Sequence, residues 1–124
     1  MSRTQNTLAV LELEGLKHET TMVTTEKLEA AIHILSEATR QARIVLFGSY
    51  ARGDASEDSD LDLLVIEPQV EDRAKEMVRL RRLLRPLRIP ADILVYSSEE
   101  VARWGEQPGS ALYWALREGK VVHG

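Results

Sequence analysis

Two aspartates, Asp60 and Asp62, open the apolar run 63–66 and have the spacing best suited to chemistry. Because side chains alternate along a strand, residues 60 and 62 point to one face and Leu61 to the other. Burying an unpaired carboxylate costs so much free energy that it normally takes up a proton, so this pair requires a cation. The spacing therefore predicts two carboxylates that share a divalent metal ion at the start of a strand.

A second feature lies upstream, where the apolar run 44–47 ends at Gly48 and Ser49. A strand followed by Gly-Ser and a short helical turn leaves free backbone N–H groups at a positive helix end, which suits phosphate oxygens. Glycine lets the backbone approach a phosphate, the Ser49 hydroxyl adds a donor, and Arg52 adds positive charge. No Gly-Lys-Ser/Thr follows, so the turn is not a Walker loop. The pattern predicts nucleotide binding at Gly48, Ser49 and Arg52.

These motifs together resemble the signature of the DNA polymerase beta nucleotidyltransferase superfamily. The matching positions are Gly48-Ser49, Arg52-Gly53 and Ser59-Asp60-x-Asp62. The chain is similar to the minimal nucleotidyltransferase (MNT) branch over residues 25–122. The resemblance implies a third carboxylate from a later strand, and Asp92 is the matching position. It further implies that Asp60, Asp62 and Asp92 are the catalytic and metal-binding residues, holding two Mg²⁺ ions, and that ATP is the substrate.

Composition indicates one soluble domain. The 124 residues are 44% hydrophobic and 29% charged, which is enough for a single modest core. The chain has no cysteine, which excludes disulfides and thiolate metal sites and agrees with a reducing cytoplasm. Its net charge of −4 argues against general nucleic-acid binding. The apolar runs are too short to span a membrane, so we expect no membrane association.

The apolar spacing predicts both helices and strands, and the resemblance implies that they form an α+β fold of the polymerase beta nucleotidyltransferase type, a small mixed β-sheet flanked by helices. Apolar residues at helical spacing follow the capping residue Thr24 and predict a helix face that reaches Ala42. Later helices are predicted after the capping box at Ser97 and after Ser110. Strands are predicted at 43–47, 60–66, 91–96 and, as a small edge strand, 121–122.

A further predicted helix, residues 71–87, has one apolar and one basic face. Its inward residues are expected to be Ala74, Met77, Leu80, Leu84 and Leu87. Its outward cations are expected to be Arg73, Lys75, Arg79, Arg81, Arg82, Arg85 and Arg88. We interpret this face first as solvated and paired with nearby acids; contact with RNA, an acidic partner or nucleotide phosphates is the alternative.

The chain divides into two regions. Residues 1–23 are predicted to be an N-terminal extension, helical or partly disordered, and residues 24–124 to form the nucleotidyltransferase domain. The acidic residues 54–59 are interpreted as a solvated turn. For Asp92, a salt bridge to Arg88 is the structural alternative to metal binding.

The resemblance implies a function as well as a fold. The enzyme would transfer a nucleoside monophosphate, AMP from ATP, to an acceptor hydroxyl and release pyrophosphate. A domain of this size is used up by the catalytic fold, so we expect another protein to provide or hold the acceptor. Similarity to the MNT branch implies a HEPN-type toxin as that partner, with this chain as the antitoxin that modifies a tyrosine of the toxin.

Three alternatives remain at this stage. The first is a small-molecule nucleotidyltransferase of the aminoglycoside type, acting as a homo-oligomer. The second is a non-catalytic module that neutralises a partner by binding alone. The third is a generic α+β domain in which the carboxylates have no metal, and it predicts no Mg²⁺-dependent nucleotide binding.

Overall fold

The structure, a computed structural model, describes residues 22–39 and 41–124. Its elements, in chain order, are α1 (Thr25–Ala38), β1 (Arg43–Phe47), α2 (Ser49–Arg52), β2 (Leu61–Glu67), α3 (Arg73–Leu84), a 3-10 turn (Arg85–Leu87), β3 (Ala91–Ser97), α4 (Ser98–Trp104), α5 (Ala111–Glu118) and β4 (Lys120–His123). The predicted N-terminal extension lies outside the described residues except for its last two. None of the described helices is both long enough and apolar enough to cross a bilayer.

The four strands form one mixed sheet in the order β3-β2-β1-β4. β1 is antiparallel to both β2 and β4, whereas β2 and β3 are parallel. Parallel neighbours need a crossover, which α3 and the 3-10 turn supply. The end of β1 therefore meets the starts of β2 and β3 at one edge of the sheet. The predicted α+β fold with a small mixed sheet is confirmed.

The alternation of apolar residues along the strands gives the sheet two buried faces. One face packs against α1 and α3, and the fully buried residues of this layer include Ile44, Leu63 and Ile93 of the sheet, Leu35 of α1 and Leu80 of α3. The other face packs against α5, through Val45, Leu64, Ile66, Leu112 and Ala115. With both faces covered, the two central strands, β1 and β2, have their register fixed by the core, because a slip of one residue would exchange the two faces.

The capping residues define where the helices begin. The Thr24 side chain accepts a hydrogen bond from the Lys27 N–H, and Ser97 with Glu100 forms the predicted capping box at the start of α4. The prediction that α1 reaches Ala42 is wrong. Thr39 leaves helical geometry at φ −134°, and Ala42 is instead buried at the entrance to β1.

α3 differs from its predicted faces at its first turn. The helix begins at Arg73, capped by Asp72. Arg73 points inward, where its guanidinium donates to the Val95 carbonyl at 2.9 Å and pairs with Glu100. Ala74 was predicted to be inward and is exposed, because the inward position of this turn is taken by the long arginine side chain. The predicted burial of Leu80 and Leu84 is confirmed, and Met77 and Leu87 pack against the core partly buried.

A carboxylate cluster lies at the far end of β2, away from the starts of β2 and β3. Glu67 Oε2 is buried and, within the described residues, has no hydrogen-bond partner when ionised. Burial and the neighbouring Glu76 raise the pKa of Glu67 to about 7. Arg79, which bonds both Glu76 oxygens at 2.8 Å, holds the pKa of Glu76 well below its usual range. The protonated carboxyl of Glu67 can therefore donate a hydrogen bond to the carboxylate of Glu76, which stays ionised.

We expect Glu67→Gln to be more stable than the wild type at pH 8. Glu67 binds its proton more tightly in the folded state, so its contribution favours folding below about pH 4.5 and is lost as pH rises towards 7. Glutamine imitates the protonated form and keeps an N–H donor for Glu76. Because solvent screens this half-buried group, the gain in the free energy of unfolding should be on the order of 1 kcal/mol.

Urea unfolding at several pH values tests this expectation. The difference between variant and wild type should grow between pH 5 and pH 8, where only the wild-type carboxyl ionises. Glu71→Gln, on an exposed carboxylate before α3, is the matched control. A Glu67→Gln variant that is less stable than the wild type at pH 8 would contradict the expectation.

Candidate active site

The strand register brings two of the predicted site residues together. Asp62 in β2 is paired with Asp92 in the parallel neighbour β3 and with Phe47 in the antiparallel neighbour β1. Paired residues on adjacent strands are about 5 Å apart and project from the same face. Asp60 lies one residue before β2 begins, two positions from Asp62. The predicted clustering of the three aspartates at one sheet edge is therefore what the backbone produces.

The three aspartates differ in burial. Asp62 is half-buried, whereas Asp60 and Asp92 are exposed. The sequence predicts that both Asp60 and Asp62 are buried, and this prediction is wrong for Asp60. β2 begins only at Leu61, so residue 60 lies in the open loop at the sheet edge.

Gly48 shapes the space around Asp62. Its backbone has a positive φ of 76° with an extended ψ of −156°, a conformation essentially restricted to glycine, at the junction of β1 and α2. A Cβ atom at this position would overlap Oδ2 of Asp62 and lie 3.0 Å from its Cγ. The glycine is thus required by the Asp62 side chain as well as by its own backbone conformation.

The turn after Gly48 is a single helical turn. The Gly48 carbonyl accepts hydrogen bonds from the N–H groups of Ala51 and Arg52, both at 3.0 Å. Within the described chain, no side chain caps this turn, so the first N–H groups of α2, at Ser49 and Tyr50, are without a capping acceptor. The Tyr50 hydroxyl accepts from the Val23 N–H at 2.8 Å, which ties the turn to the start of α1.

Arg52 forms ion pairs with two carboxylates and also acts on Asp62. Its guanidinium bonds Asp54 at 3.3 Å and Glu118 of α5 at 3.2 Å, on an exposed surface. These contacts raise the pKa of Arg52, through Asp54 first. Its charge also acts on Asp62, where it lowers the pKa that burial and the other two aspartates raise. Arg52 is therefore close enough to the aspartates to add positive charge, and nucleotide contact by Arg52 stays a prediction.

Asp62 lies where its surroundings disfavour the ionised carboxylate. Burial raises the pKa of Asp62, and the charges of Asp92 and Asp60 raise it further. Like charges in a partly buried position disfavour ionisation. Arg81 of α3 offsets part of the negative charge of Asp92, with its Nη2 3.7 Å from Asp92 Oδ1. The partner of Asp92 is thus Arg81 and not Arg88, the alternative that the sequence suggested.

The donor chemistry fits a hard divalent cation. Carboxylate oxygens are the ligands that Mg²⁺ prefers, and a cation would relieve the repulsion that raises the pKa of Asp62. Across residues 22–39 and 41–124, no three His, Asp or Glu side chains are already close enough to hold an ion as arranged. Asp60 and Asp92 are exposed and can change rotamer, and Asp92 would have to leave Arg81 to join the other two.

The family profile for the nucleotidyltransferase domain matches residues 28–113, from α1 into α5. This chain belongs to the nucleotidyltransferase domain family. The matched span contains all six predicted site residues. The family assignment that the sequence motifs suggested is confirmed.

Curated relatives of this nucleotidyltransferase domain match over part of their length. Two proteins of Methanocaldococcus jannaschii, each named "putative protein adenylyltransferase", are 38% identical over 53 residues and 59% identical over 27 residues. The first match covers 43% of this chain and 52% of the relative, and the second covers 22% and 27%. The chain thus spans about half the length of the first relative and about a quarter of the second.

Solved structures support the fold. A structure described as a "putative minimal nucleotidyltransferase" is 30% identical, with a TM-score of 0.53, over 84% of this chain and 97% of that one. A toxin-antitoxin structure with AMP-PNP has a TM-score of 0.56 at 22% identity, over 80% of this chain and 72% of that one. At that identity the second likeness shows the fold alone. The predicted minimal nucleotidyltransferase fold is confirmed.

Sequence reasoning missed two residues beside the site of the nucleotidyltransferase domain. Glu118 bonds Arg52, and Arg81 pairs with Asp92. Glu118 is 66 residues from its partner in the sequence, so no local pattern reports the contact. Arg81 was one of seven cations assigned to the same helix face, and only the packing of α3 beside β3 distinguishes it.

We expect Gly48→Ala to disturb Asp62 beyond the cost of the backbone conformation. The matched control is Gly53→Ala, because Gly53 also has a positive φ, 85°, but a Cβ there meets no atom within 4 Å. Both variants should lose unfolding free energy because of the positive φ: Gly53→Ala, in the αL conformation, by about 1–2 kcal/mol, and Gly48→Ala by more, because its positive φ with an extended ψ is essentially restricted to glycine. Only Gly48→Ala should also weaken Mg²⁺-dependent ATP binding, measured by calorimetry. Equal effects of the two substitutions on ATP binding would show that the Asp62 contact is unimportant.

Proposed function

We propose that this chain is a Mg²⁺-dependent nucleotidyltransferase that transfers AMP from ATP to a hydroxyl group of a protein. The observation that supports this most is the register of Asp62 with Asp92 at the sheet edge where Gly48 ends β1. That edge combines carboxylate ligands for a cation with an uncapped helical turn that suits phosphate oxygens. The family membership and the names of the curated relatives point the same way.

In the proposed reaction the acceptor oxygen forms a bond to the α-phosphorus of ATP, and the bond from that phosphorus to the bridging oxygen of the β-phosphate breaks. Pyrophosphate leaves with the electron pair. Asp92 is exposed and is proposed to orient the acceptor hydroxyl and to accept its proton. The Gly48–Ser49 turn and Arg52 are proposed to hold the phosphates, which makes most of the catalysis positioning and electrostatics.

Asp60, Asp62 and Asp92 are the residues that would hold Mg²⁺, two ions by analogy with the family. When bound, the ions would neutralise charge on the reacting phosphate oxygens. The pKa of Asp62, raised by burial and by the two other aspartates, supports this assignment because a cation removes that repulsion.

For the acceptor we propose a protein, and for the biological role an antitoxin paired with a HEPN-type toxin. The curated relatives are named for protein adenylylation, and the toxin-antitoxin structure with AMP-PNP has a related fold. The HEPN type and a toxin tyrosine as acceptor rest on the resemblance to the MNT branch. A reducing cytoplasm as the location rests on the absence of cysteine.

Asp62→Asn is expected to abolish transfer without destabilising the fold. The substitution removes a ligand of the proposed cation, so label transfer from ATP carrying a radioactive α-phosphate should fall by about a hundredfold or more. It also removes the repulsion from Asp60 and Asp92, so the free energy of unfolding should stay equal or rise. Activity with native lysate and Mg²⁺, together with urea unfolding, measures both.

Asp60→Asn should behave in the same way in the transfer assay. Asp58→Asn is the matched control, because Asp58 is an exposed aspartate in the loop just before Asp60. Full transfer by either of the two site variants would refute the metal assignment of that aspartate, and absence of transfer by the wild type with its acceptor present would refute the proposed function. Loss of label with continued neutralisation of a toxic partner would instead favour a module that acts by binding alone.

A further inference from the structure

An arginine-lined cavity lies beside the aspartates, where α3 turns into β3. Its volume is about 610 Å³, and we call it the arginine pocket. It is lined by Arg81, Arg85 and Arg88 and by the apolar side chains of Leu84, Ile89 and Pro90. The Pro90 carbonyl accepts a hydrogen bond from the Leu61 N–H at 2.8 Å, which joins this turn to the start of β2. The pocket is therefore adjacent in the fold to Asp60 and Asp92.

The arginine pocket has an excess of positive charge. Arg81 contacts Asp92 at 3.7 Å, and both side chains are about half exposed, so this pair is weak. In the part of the chain that the structure describes, neither Arg85 nor Arg88 makes an ion pair. By contrast, the arginines at the start and middle of α3, Arg73 and Arg79, are both paired. Arg85 and Arg88 are therefore available to a ligand of the pocket; among the described residues Lys75 and Arg82 also lack an ion pair, but they lie outside the pocket.

The backbone at Arg88 supports the same interpretation. Arg88 has φ 54° and ψ 46°, the single positive φ among the described residues other than glycine. Its N–H bonds the Arg85 carbonyl at 3.0 Å and closes the 3-10 turn. Glycine would take this left-handed conformation with less strain, and such strain is found where a side chain is needed at a binding site.

The strand order places the arginine pocket on the side of the aspartates away from the turn proposed for the ATP phosphates. The Gly48 turn ends β1, Asp62 lies in the next strand, β2, and Asp92 lies in the edge strand β3. The pocket is formed by the residues that lead into β3, so the aspartates separate it from the turn proposed for the ATP phosphates. An anionic group in the pocket would approach the aspartates from the acceptor side.

We propose that the arginine pocket binds an acidic segment of the protein acceptor, next to the hydroxyl that receives AMP. This inference rests on the proposed function and specifies its substrate class. Arginine forks match carboxylates in geometry and charge, and the apolar walls suit peptide side chains. The lining has no aromatic side chain to stack a base, and the chain has a net charge of −4, so a protein acceptor fits better than RNA.

A pair of labelled peptides tests the proposal with the full chain. One peptide carries a single tyrosine flanked by aspartates and glutamates; the other has asparagines and glutamines at those positions. Fluorescence anisotropy should show the acidic peptide binding about tenfold more tightly, with the difference falling as salt screens the charges. Equal binding of the two peptides would overturn the proposal.

Charge-reversal variants test whether the acidic peptide binds at the arginine pocket. The double substitution Arg85→Glu with Arg88→Glu should weaken acidic-peptide binding about tenfold. The control, Lys75→Glu with Arg82→Glu, makes the same charge change on α3 outside the pocket and should have less than about a twofold effect. An equal loss in both variants would overturn the proposal. If the pocket variant fails to fold, Arg85→Gln with Arg88→Gln gives the same comparison.

The transfer assay separates this inference from the proposed function. Label transfer that depends on Asp60, together with failure of the acidic peptide to bind, would refute the arginine pocket alone. Acidic-peptide binding that depends on Arg85 and Arg88, in a protein without nucleotidyl transfer, would leave the pocket established as a binding site and refute the proposed function. A short single-stranded RNA that displaces the acidic peptide at lower concentration than the unlabelled peptide does would reject the protein acceptor.

Discussion

The candidate site depends on the fold holding the Asp62 carboxylate where burial and like charges disfavour its ionised form. Asp62 lies beneath the backbone of Gly48, in register with Asp92 and two residues after Asp60. Burial and the two neighbouring charges raise its pKa. The sheet keeps the residue there because the apolar side chains of β2 are buried on both faces, so the strand cannot shift without exposing its core.

Positive charge is arranged around these aspartates without fully neutralising them. Arg52 approaches from the β1 side and is shared with Asp54 and Glu118, while Arg81 approaches Asp92 from the β3 side at 3.7 Å. Exposed pairs of this kind contribute little to stability. They can therefore exchange partners when a ligand arrives, which is the property that a binding site for charged substrates requires.

The elements that the sequence predicted correctly are those with local causes. Successive strand residues such as Leu63 and Leu64 alternate between the two faces, and Ser97 with Glu100 forms a capping box from residues three apart. The errors have long-range causes. The inward position at the start of α3 belongs to Arg73, whose guanidinium bonds Glu100 and the Val95 carbonyl, residues of a different element.

The sequence by itself determined that Asp60 and Asp62 lie at the start of β2 and that a Gly-Ser turn follows β1, because both depend on spacings of one or two residues. Only the tertiary structure decided that Asp92 lies opposite Asp62, since this depends on the parallel register of strands joined through α3. It also decided that Gly48 makes room for the Asp62 carboxylate and that Arg81, not Arg88, reaches Asp92. These contacts depend on strand order and helix packing, which no local residue pattern encodes.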